Sequence, residues 1–383
     1  MKTPSIQQWT RWFRARFPTP IPRAFVLTRG YILVVFIAVP LLVSHESKGY
    51  RELSVDKRGS VVVALRQSVA TADALAYASI AENGYDKEKF DSKGHNWGYF
   101  PVYPLAISLF RADFYLVGTI VSNLFFLGGL SLLFAVSRMF GLDDGKAGLA
   151  VLYATIYPTS YFFSMPFTES LFFCVTLLSV YLAMKDWWWL AGVVGAVSSA
   201  TRITGVLLIV LLGILYLQRR GKTIKSDALS LLLVPLGLLI FMTYIWRVTG
   251  NPFGVIQAQA ASGRSTSPIF FLSPMIDFIV HPRAFAGWSF QPLAFAIAVL
   301  VFFCVYQLAR WKDWALATYS LLSVVLPLST GTLTSMPRYM MVVFPAYIVL
   351  AKLKCQQAII FAFTVVFALL TVLCALHYTF AVA

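Results

Sequence analysis

The chain has 383 residues, of which 59% are hydrophobic and only 12% are charged. Soluble globular domains carry about a quarter charged residues, so this composition excludes a soluble enzyme or binding domain. The formal net charge of +15 comes mostly from Lys and Arg at the ends of apolar blocks, which predicts contact with membrane lipids and no nucleic-acid partner.

The apolar blocks in chain order have the length that crosses a hydrocarbon core of roughly 30 Å. We predict a single all-α integral membrane domain over 1–383, a polytopic bundle of about 11 transmembrane helices. The predicted spans are 25–44, 114–137, 147–163, 168–184, 187–201, 203–218, 228–248, 292–309, 314–328, 340–351 and 357–380. Three of them are short (187–201, 203–218 and 340–351), as is typical of helices that line a cavity enclosed by protein.

Lys and Arg predict the orientation. If the N-terminus is cytoplasmic and the spans alternate, every short inside loop is basic, as the positive-inside rule expects. The first apolar block follows basic residues and lacks a small-residue cleavage site, which predicts a retained helix and not a signal peptide. Compact loops favour a bacterial or archaeal plasma membrane over the endoplasmic reticulum.

Two extracytoplasmic loops are long, 45–113 and 249–291. Ordered loops of that length are usually functional. In the first loop, Val61–Ala81 has apolar residues at helical spacing and predicts an interfacial amphipathic helix on the outer membrane surface. Tyr99–Phe110 is apolar but too short to span, and two prolines interrupt it, so we predict a re-entrant or interfacial segment.

Few ionisable residues face the outer side near the membrane, where a charge is costly and marks a functional site. They are Asp73, Glu82, His95, Glu169, Arg202, Arg264 and Arg338. Asp73 has no basic neighbour in sequence, and it is either a general base facing a cavity or a solvated residue on the polar side of its helix. If the fold brings these residues together, they form a polar cavity open to the outer side.

The other residues also have two explanations each. Glu169 is either a site residue or an acidic residue that stabilises the first turn of a helix whose N-cap is Thr168. Arg202 and Arg338 either grip a phosphate or anchor the chain at the headgroups. His95 on its own is more often a solvated loop residue. Together the residues indicate an acid–base group with arginines, which suits a lipid-phosphate substrate.

Five motifs in order resemble the PIG-V-like mannosyltransferases, within the GT-C superfamily of membrane glycosyltransferases. The resemblance covers about two-thirds of the chain. The matching elements are Asp73 with Tyr77, Ile80-Ala81-Glu82 and Gly84-Tyr85; Tyr99 to Pro104; Pro158-Thr159-Ser160 and Thr168 to Phe172; Thr201-Arg202 with Gly205; and Met336 to Tyr339.

The resemblance implies a GT-C fold and a reaction. A polyprenyl-phosphate sugar, often mannose, donates its glycosyl group with inversion to a lipid, glycan or protein acceptor, and Asp73 deprotonates the acceptor hydroxyl. Arg202, Arg338 or His95 would neutralise the leaving phosphate, while Glu82 and Glu169 would hold sugar hydroxyls or orient an arginine. We group Tyr77, Tyr103, Arg264 and Tyr339 with these as substrate-binding residues. Lipid-phosphate donors imply no metal and no cofactor.

Two other functions use the same residues. A transporter or flippase of a lipid-linked sugar needs the same arginines and cavity, and it predicts pseudo-symmetric halves with matched broken helices, which the sequence does not display. A scaffold subunit of a membrane complex leaves the polar residues of the outer side without a purpose.

Overall fold

The computed structural model describes residues 20–42, 61–91, 95–221, 224–286 and 289–376. Within these ranges the chain is helical apart from loops and a small antiparallel ribbon of Phe285–Ala286 (β1) and Ser289–Phe290 (β2), in which Phe285 pairs with Phe290. The α-helices are α1 (Pro20–Leu42), α2 (Val61–Val69), α3 (Asp73–Asn83), α4 (Val102–Ser108), α5 (Phe114–Met139), α6 (Asp144–Thr155), α7 (Glu169–Met184), α8 (Trp188–Ser199), α9 (Leu208–Arg220), α10 (Leu236–Thr249), α11 (Gly254–Gln257), α12 (Ser273–Val280), α13 (Gln291–Arg310), α14 (Trp314–Leu328), α15 (Met336–Met340), α16 (Pro345–Lys352) and α17 (Gln356–Ala375). Short 3₁₀ segments occupy Asn96–Gly98, Ser160–Ser164, Ile203–Leu207, Ser226–Leu233 and Ala258–Ser262.

Among the described residues, six helical segments are apolar and long enough to cross a membrane. They are Pro20–Leu42, Phe114–Met139, Ile203–Arg220, Ser226–Thr249, Gln291–Arg310 and Gln356–Ala375. The protein is therefore an all-α membrane protein. Helices α7, α8 and α14 are apolar but shorter, with 16, 12 and 15 residues. The total of about 11 spans and the GT-C type remain predictions.

Two of the predicted spans are interrupted. The span predicted at 147–163 is helical only as far as Thr155, after which the chain turns through Pro158 into the 3₁₀ segment Ser160–Ser164. The span predicted at 340–351 starts on Met340, the last residue of α15, and is helical again only from Pro345. Proline has no N–H for a preceding turn, which explains both breaks. The backbone here is irregular but buried, and protein contacts take the place of lipid.

The predicted amphipathic helix Val61–Ala81 is wrong as a single helix. The structure has α2 and α3, separated by a turn in which Ala72 adopts φ 47°. That left-handed conformation is uncommon for a residue with a Cβ, and it redirects the chain. Helix α3 therefore starts at Asp73 and turns Tyr77 and Ile80 into the protein.

Small residues allow the helices to approach closely, a common device in membrane bundles. A Cβ at Gly192 would lie 2.2 Å from the carbonyl oxygen of Ser230, and one at Gly237 would lie 1.9 Å from that of Ala196. Helix α8 thus packs directly on the backbone of 226–249. This contact supports the segment that follows α8, in which Arg202 lies.

Candidate functional site

The carboxylate of Asp73 and the guanidinium of Arg338 form an ion pair at the start of α3. Arg338 Nη2 lies 2.6 Å from Asp73 Oδ2, and the two side chains are 7% and 29% exposed, so Asp73 is the partner that reaches the surface. The other oxygen, Asp73 Oδ1, has no hydrogen-bond partner in the described part of the chain. Asp73 is therefore not an isolated solvated residue of a polar helix face.

Glu169 lies behind this pair and joins two arginines. Its Oε1 accepts from Arg338 Nε at 2.5 Å and from Arg202 Nη1 at 2.6 Å, and the side chain is fully buried. Oε2 has no partner among the described residues. Thr168 does occupy the N-cap position of α7, with Glu169 in its first turn, but the Thr168 hydroxyl makes no cap hydrogen bond and instead accepts from Arg202 Nη1 at 3.0 Å.

Arg338 is held by aromatic faces as well as by carboxylates. Its guanidinium carbon lies 4.6 Å from the ring centre of Phe167 and 5.1 Å from that of Phe162. Pro337 stands in the first turn of α15, where its missing N–H costs nothing, and Ser335 before it adopts φ 64°. This short helix aims the Arg338 side chain at α3 and α7.

Tyr339 connects the remaining two arginines. Its ring centre lies 5.4 Å from the guanidinium carbon of Arg202 and 4.9 Å from that of Arg264. Arg264 Nη2 also donates to the Tyr339 hydroxyl at 2.9 Å and to the Thr334 carbonyl at 3.2 Å. No carboxylate among the described residues pairs with Arg264, whose partners are neutral.

The charges of this cluster do not balance. Three arginines (Arg202, Arg264 and Arg338) face two carboxylates (Asp73 and Glu169), which leaves one positive charge in excess. Such an excess in a partly buried setting favours an anion, and guanidinium groups suit a phosphate because they donate in a planar fork.

A small cavity adjoins the cluster. It has a volume of about 20 Å³ and is lined by Phe172, Arg202, Thr204, Tyr319, Ser323, Tyr339, Val342 and Val343. That volume is enough for about one water molecule. This cavity beside Arg202 and Tyr339 is therefore too small by itself for a sugar or a phosphate.

Two tyrosines flank Asp73. Tyr77 follows Asp73 by one helical turn, and burial followed by the Asp73 and Glu169 carboxylates raises its pKa. The ring of Tyr99 packs edge-on against Tyr77 at 5.4 Å. Burial, then the Asp73 carboxylate, raises the pKa of Tyr99 to about 12. Both hydroxyls therefore remain protonated at neutral pH.

Tyr103 lies behind Tyr77, with ring centres 5.9 Å apart. Its hydroxyl is fully buried and bonds to the Gly118 carbonyl at 3.0 Å and to Ser122 at 2.7 Å. The structure thus gives Tyr103 the role of attaching α4 to α5, with its polar atom engaged inside the protein.

Glu82 and His95 lie apart from the cluster. Glu82 is exposed and pairs with no described arginine. Nine residues after Asp73 on a helix, it is about 13 Å further along the axis and on the opposite face. His95 is engaged by Asp91 at 2.7 Å and Asp86 at 3.2 Å and stacks on Trp97 at 4.1 Å. The structure therefore gives neither residue a contact with the arginines.

Sequence reasoning overlooked several contributors. Tyr99 and Thr168 occur in the quoted motifs but were not assigned to the site, and nothing marked Phe162 and Phe167 as the faces beneath Arg338. The motif around Thr168 was the one signal that pointed to this region. Aromatic contacts with Arg338 depend on residues far apart in sequence, so no local pattern predicts them.

Within the described ranges, no group of three or more His, Cys, Asp or Glu side chains is placed to hold a metal ion. Comparison of the chain with models of known protein families and with curated proteins finds no match. The PIG-V-like relationship therefore rests on the motifs alone.

Proposed function

We propose that this protein is a membrane glycosyltransferase. It moves a sugar, mannose by the resemblance, from a polyprenyl-phosphate donor to a lipid, glycan or protein acceptor on the extracytoplasmic face, with inversion. The proposal includes the predicted orientation, with a cytoplasmic N-terminus and the cluster at the outer surface of a bacterial or archaeal plasma membrane. One observation carries it: a partly exposed carboxylate, Asp73, forms one cluster with the buried Glu169 and three arginines.

The position of Asp73 supports the role of general base. One oxygen is held by Arg338, while Oδ1 is free of hydrogen bonds within the described residues and available to an acceptor hydroxyl. A base needs to lie within hydrogen-bond reach of the proton that it removes. The 29% exposure of the Asp73 side chain gives an acceptor that access.

The arginines support a phosphate leaving group. Glu169 binds Arg202 and Arg338, whereas Arg264 has only neutral partners among the residues that the structure describes. We therefore assign Arg264 to the donor phosphate, with Arg202 as its neighbour across the Tyr339 ring. Fixed positive charges where negative charge develops are an effective means of stabilising a transition state.

The transfer step follows from these positions. The acceptor oxygen attacks the anomeric carbon while its proton passes to Asp73, and the bond from that carbon to the phosphate oxygen breaks. The electron pair of that bond stays on the phosphate, whose added charge the arginines neutralise. Attack from the side opposite the phosphate inverts the anomeric configuration.

The test compares three proteins purified in nanodiscs: the wild type, Asp73→Asn, and Glu82→Gln as a matched control on the other face of the same helix. Each is incubated with labelled polyprenyl-phosphate mannose and an acceptor lipid or peptide, and free polyprenyl phosphate and glycosylated acceptor are measured. We expect Asp73→Asn to lower kcat by about 10²- to 10⁴-fold and Glu82→Gln to retain activity.

Two outcomes contradict the proposal. Undiminished transfer by Asp73→Asn removes the base assignment. Absence of transfer with several sugars and acceptors, together with movement of labelled donor across vesicle membranes, favours a transporter or flippase instead.

A further inference from the structure

Arg29 is a buried arginine that the proposed reaction does not use. It lies in α1, and its guanidinium carbon is 4.8 Å from the ring centre of Phe126. Phe126 stands at the middle of the 26-residue helix α5, so Arg29 lies beside the midpoint of an apolar segment long enough to cross a membrane. A charge at the midpoint of such a segment costs several kcal/mol and is rarely kept without a role.

Among the described residues, the partners of Arg29 are carbonyl and hydroxyl oxygens, and none is a carboxylate. Nη2 donates to the Thr155 carbonyl at 2.9 Å and to the Ser160 hydroxyl at 2.7 Å. Nη1 donates to the Ser160 carbonyl at 2.8 Å and to the Ser164 hydroxyl at 3.1 Å. The guanidinium thus binds the last carbonyl of α6 at Thr155 and joins it to the 3₁₀ segment that follows the turn.

Two contacts lead from this turn to Arg338. The Thr159 hydroxyl donates to the Pro337 carbonyl at 3.2 Å, one residue before Arg338. The ring of Phe162, inside the same turn, lies 5.1 Å beneath the Arg338 guanidinium. The segment that Arg29 holds is therefore both the anchor of the α15 backbone and part of the surface on which the Arg338 side chain rests.

We propose that Arg29 is a positioning residue: through residues 155–164 it fixes Arg338 between Asp73 and Glu169. The two Nη atoms of its guanidinium donate to two carbonyls and two hydroxyls at once. A lysine does not reproduce this arrangement, because its three N–H donors are all on one nitrogen. The kinetic consequence rests on the proposed transfer reaction, whereas the effect on the Arg338 segment does not.

The test uses four variants of the full-length protein in nanodiscs. Arg29→Met and Arg29→Lys change the anchor, and Thr159→Val breaks the contact to Pro337 without touching Arg29. Ser131→Ala is the matched control, because the Ser131 hydroxyl donates to the Leu127 carbonyl of its own helix at 3.0 Å and contacts neither Arg29 nor the α15 segment.

The first measurement is hydrogen exchange of the peptide 336–344 without substrate. We expect exchange to rise about fivefold in Thr159→Val, the effect of one lost hydrogen bond, and by at least as much in Arg29→Met. Arg29→Lys should lie between Arg29→Met and wild type, and Ser131→Ala should equal wild type. Unchanged exchange in Thr159→Val, or an equal rise in Ser131→Ala, overturns the proposal, even where Arg29→Met does not fold.

The second measurement is transfer kinetics. Displacing a catalytic group by about 1 Å costs on the order of 10²-fold, so kcat should fall in Arg29→Met and Thr159→Val while the donor KM is retained. The double variant should be no slower than the slower single variant, because both changes act through one contact. A rise in KM with unchanged kcat contradicts positioning. A wild type without transfer activity refutes the proposed function but leaves the exchange result decisive for Arg29.

Discussion

Substitution of Glu169 by glutamine tests whether this residue holds the two arginines together. The change keeps the shape of the side chain but removes the charge that Arg338 and Arg202 share at 2.5 and 2.6 Å. Arg338 retains Asp73, whereas Arg202 keeps only the Thr168 hydroxyl and two aromatic faces. Loss of one partner from a buried pair costs about 3–5 kcal/mol of stability. Because the glutamine amide oxygen can still accept a hydrogen bond, we expect Glu169→Gln to lower the free energy of unfolding by about 3 kcal/mol.

The assay is the free energy of unfolding in a bilayer mimic, measured by steric trapping, for Glu169→Gln, Arg202→Gln and the double variant. The double variant removes the orphaned positive charge, so we expect it to recover at least about 1 kcal/mol relative to the sum of the single effects. Glu82→Gln, an exposed control, should stay within about 0.5 kcal/mol of wild type. Additive effects of the two single substitutions would refute a direct interaction between Glu169 and Arg202.

Three further predictions concern the neighbourhood of the cluster and the packing of the bundle. Tyr339→Phe removes the hydroxyl that accepts from Arg264 at 2.9 Å but keeps the ring, so transfer kinetics should show a donor KM raised by about 3- to 10-fold in a normally folded protein. Burial lowers the pKa of His95, but hydrogen bonds to two aspartates raise it by more, so the net pKa lies above 6.5. The stability that this contact adds is complete below pH 6.5 and is lost as the pH rises through the raised pKa. Hydrogen exchange in the His95 loop should therefore gain a pH dependence that His95→Gln abolishes. Gly237→Ala places a Cβ 1.9 Å from a carbonyl oxygen and should lower the free energy of unfolding by about 1–3 kcal/mol, whereas Gly213→Ala, with nothing within 4 Å, should not.

Composition and apolar block length were sufficient to predict an all-α membrane protein, because the hydrocarbon core sets the length of each helix directly. The breaks were harder to place. Pro158 and Pro345 explain the interrupted spans once the structure is known, but proline also occurs inside membrane helices. The turn at Ala72, where φ is 47°, has no sequence signal, because alanine is a good helix former.

The candidate site shows the same division. Ranking outward-facing ionisable residues by cost identified Asp73, Glu169, Arg202 and Arg338, which the structure joins by ion pairs. The same ranking included Glu82, because it considered only the side of the membrane on which a residue lies. It did not consider the face of the helix, and Glu82 lies on the face of α3 opposite Asp73. It attributed Arg29 to the basic N-terminal region, since a charge count ignores the depth at which that arginine is buried.

The ion pair between Asp73 and Arg338 bears on the order of the proposed reaction. Arg338 Nη2 occupies Asp73 Oδ2 at 2.6 Å, which leaves Oδ1 for an acceptor hydroxyl. A donor phosphate attracts the same guanidinium, because arginine donates in a planar fork that matches phosphate oxygens. Movement of Arg338 toward the phosphate releases Oδ2, so the acceptor hydroxyl then has both oxygens of Asp73 within reach. This geometry favours a sequence in which the donor binds first and the acceptor second.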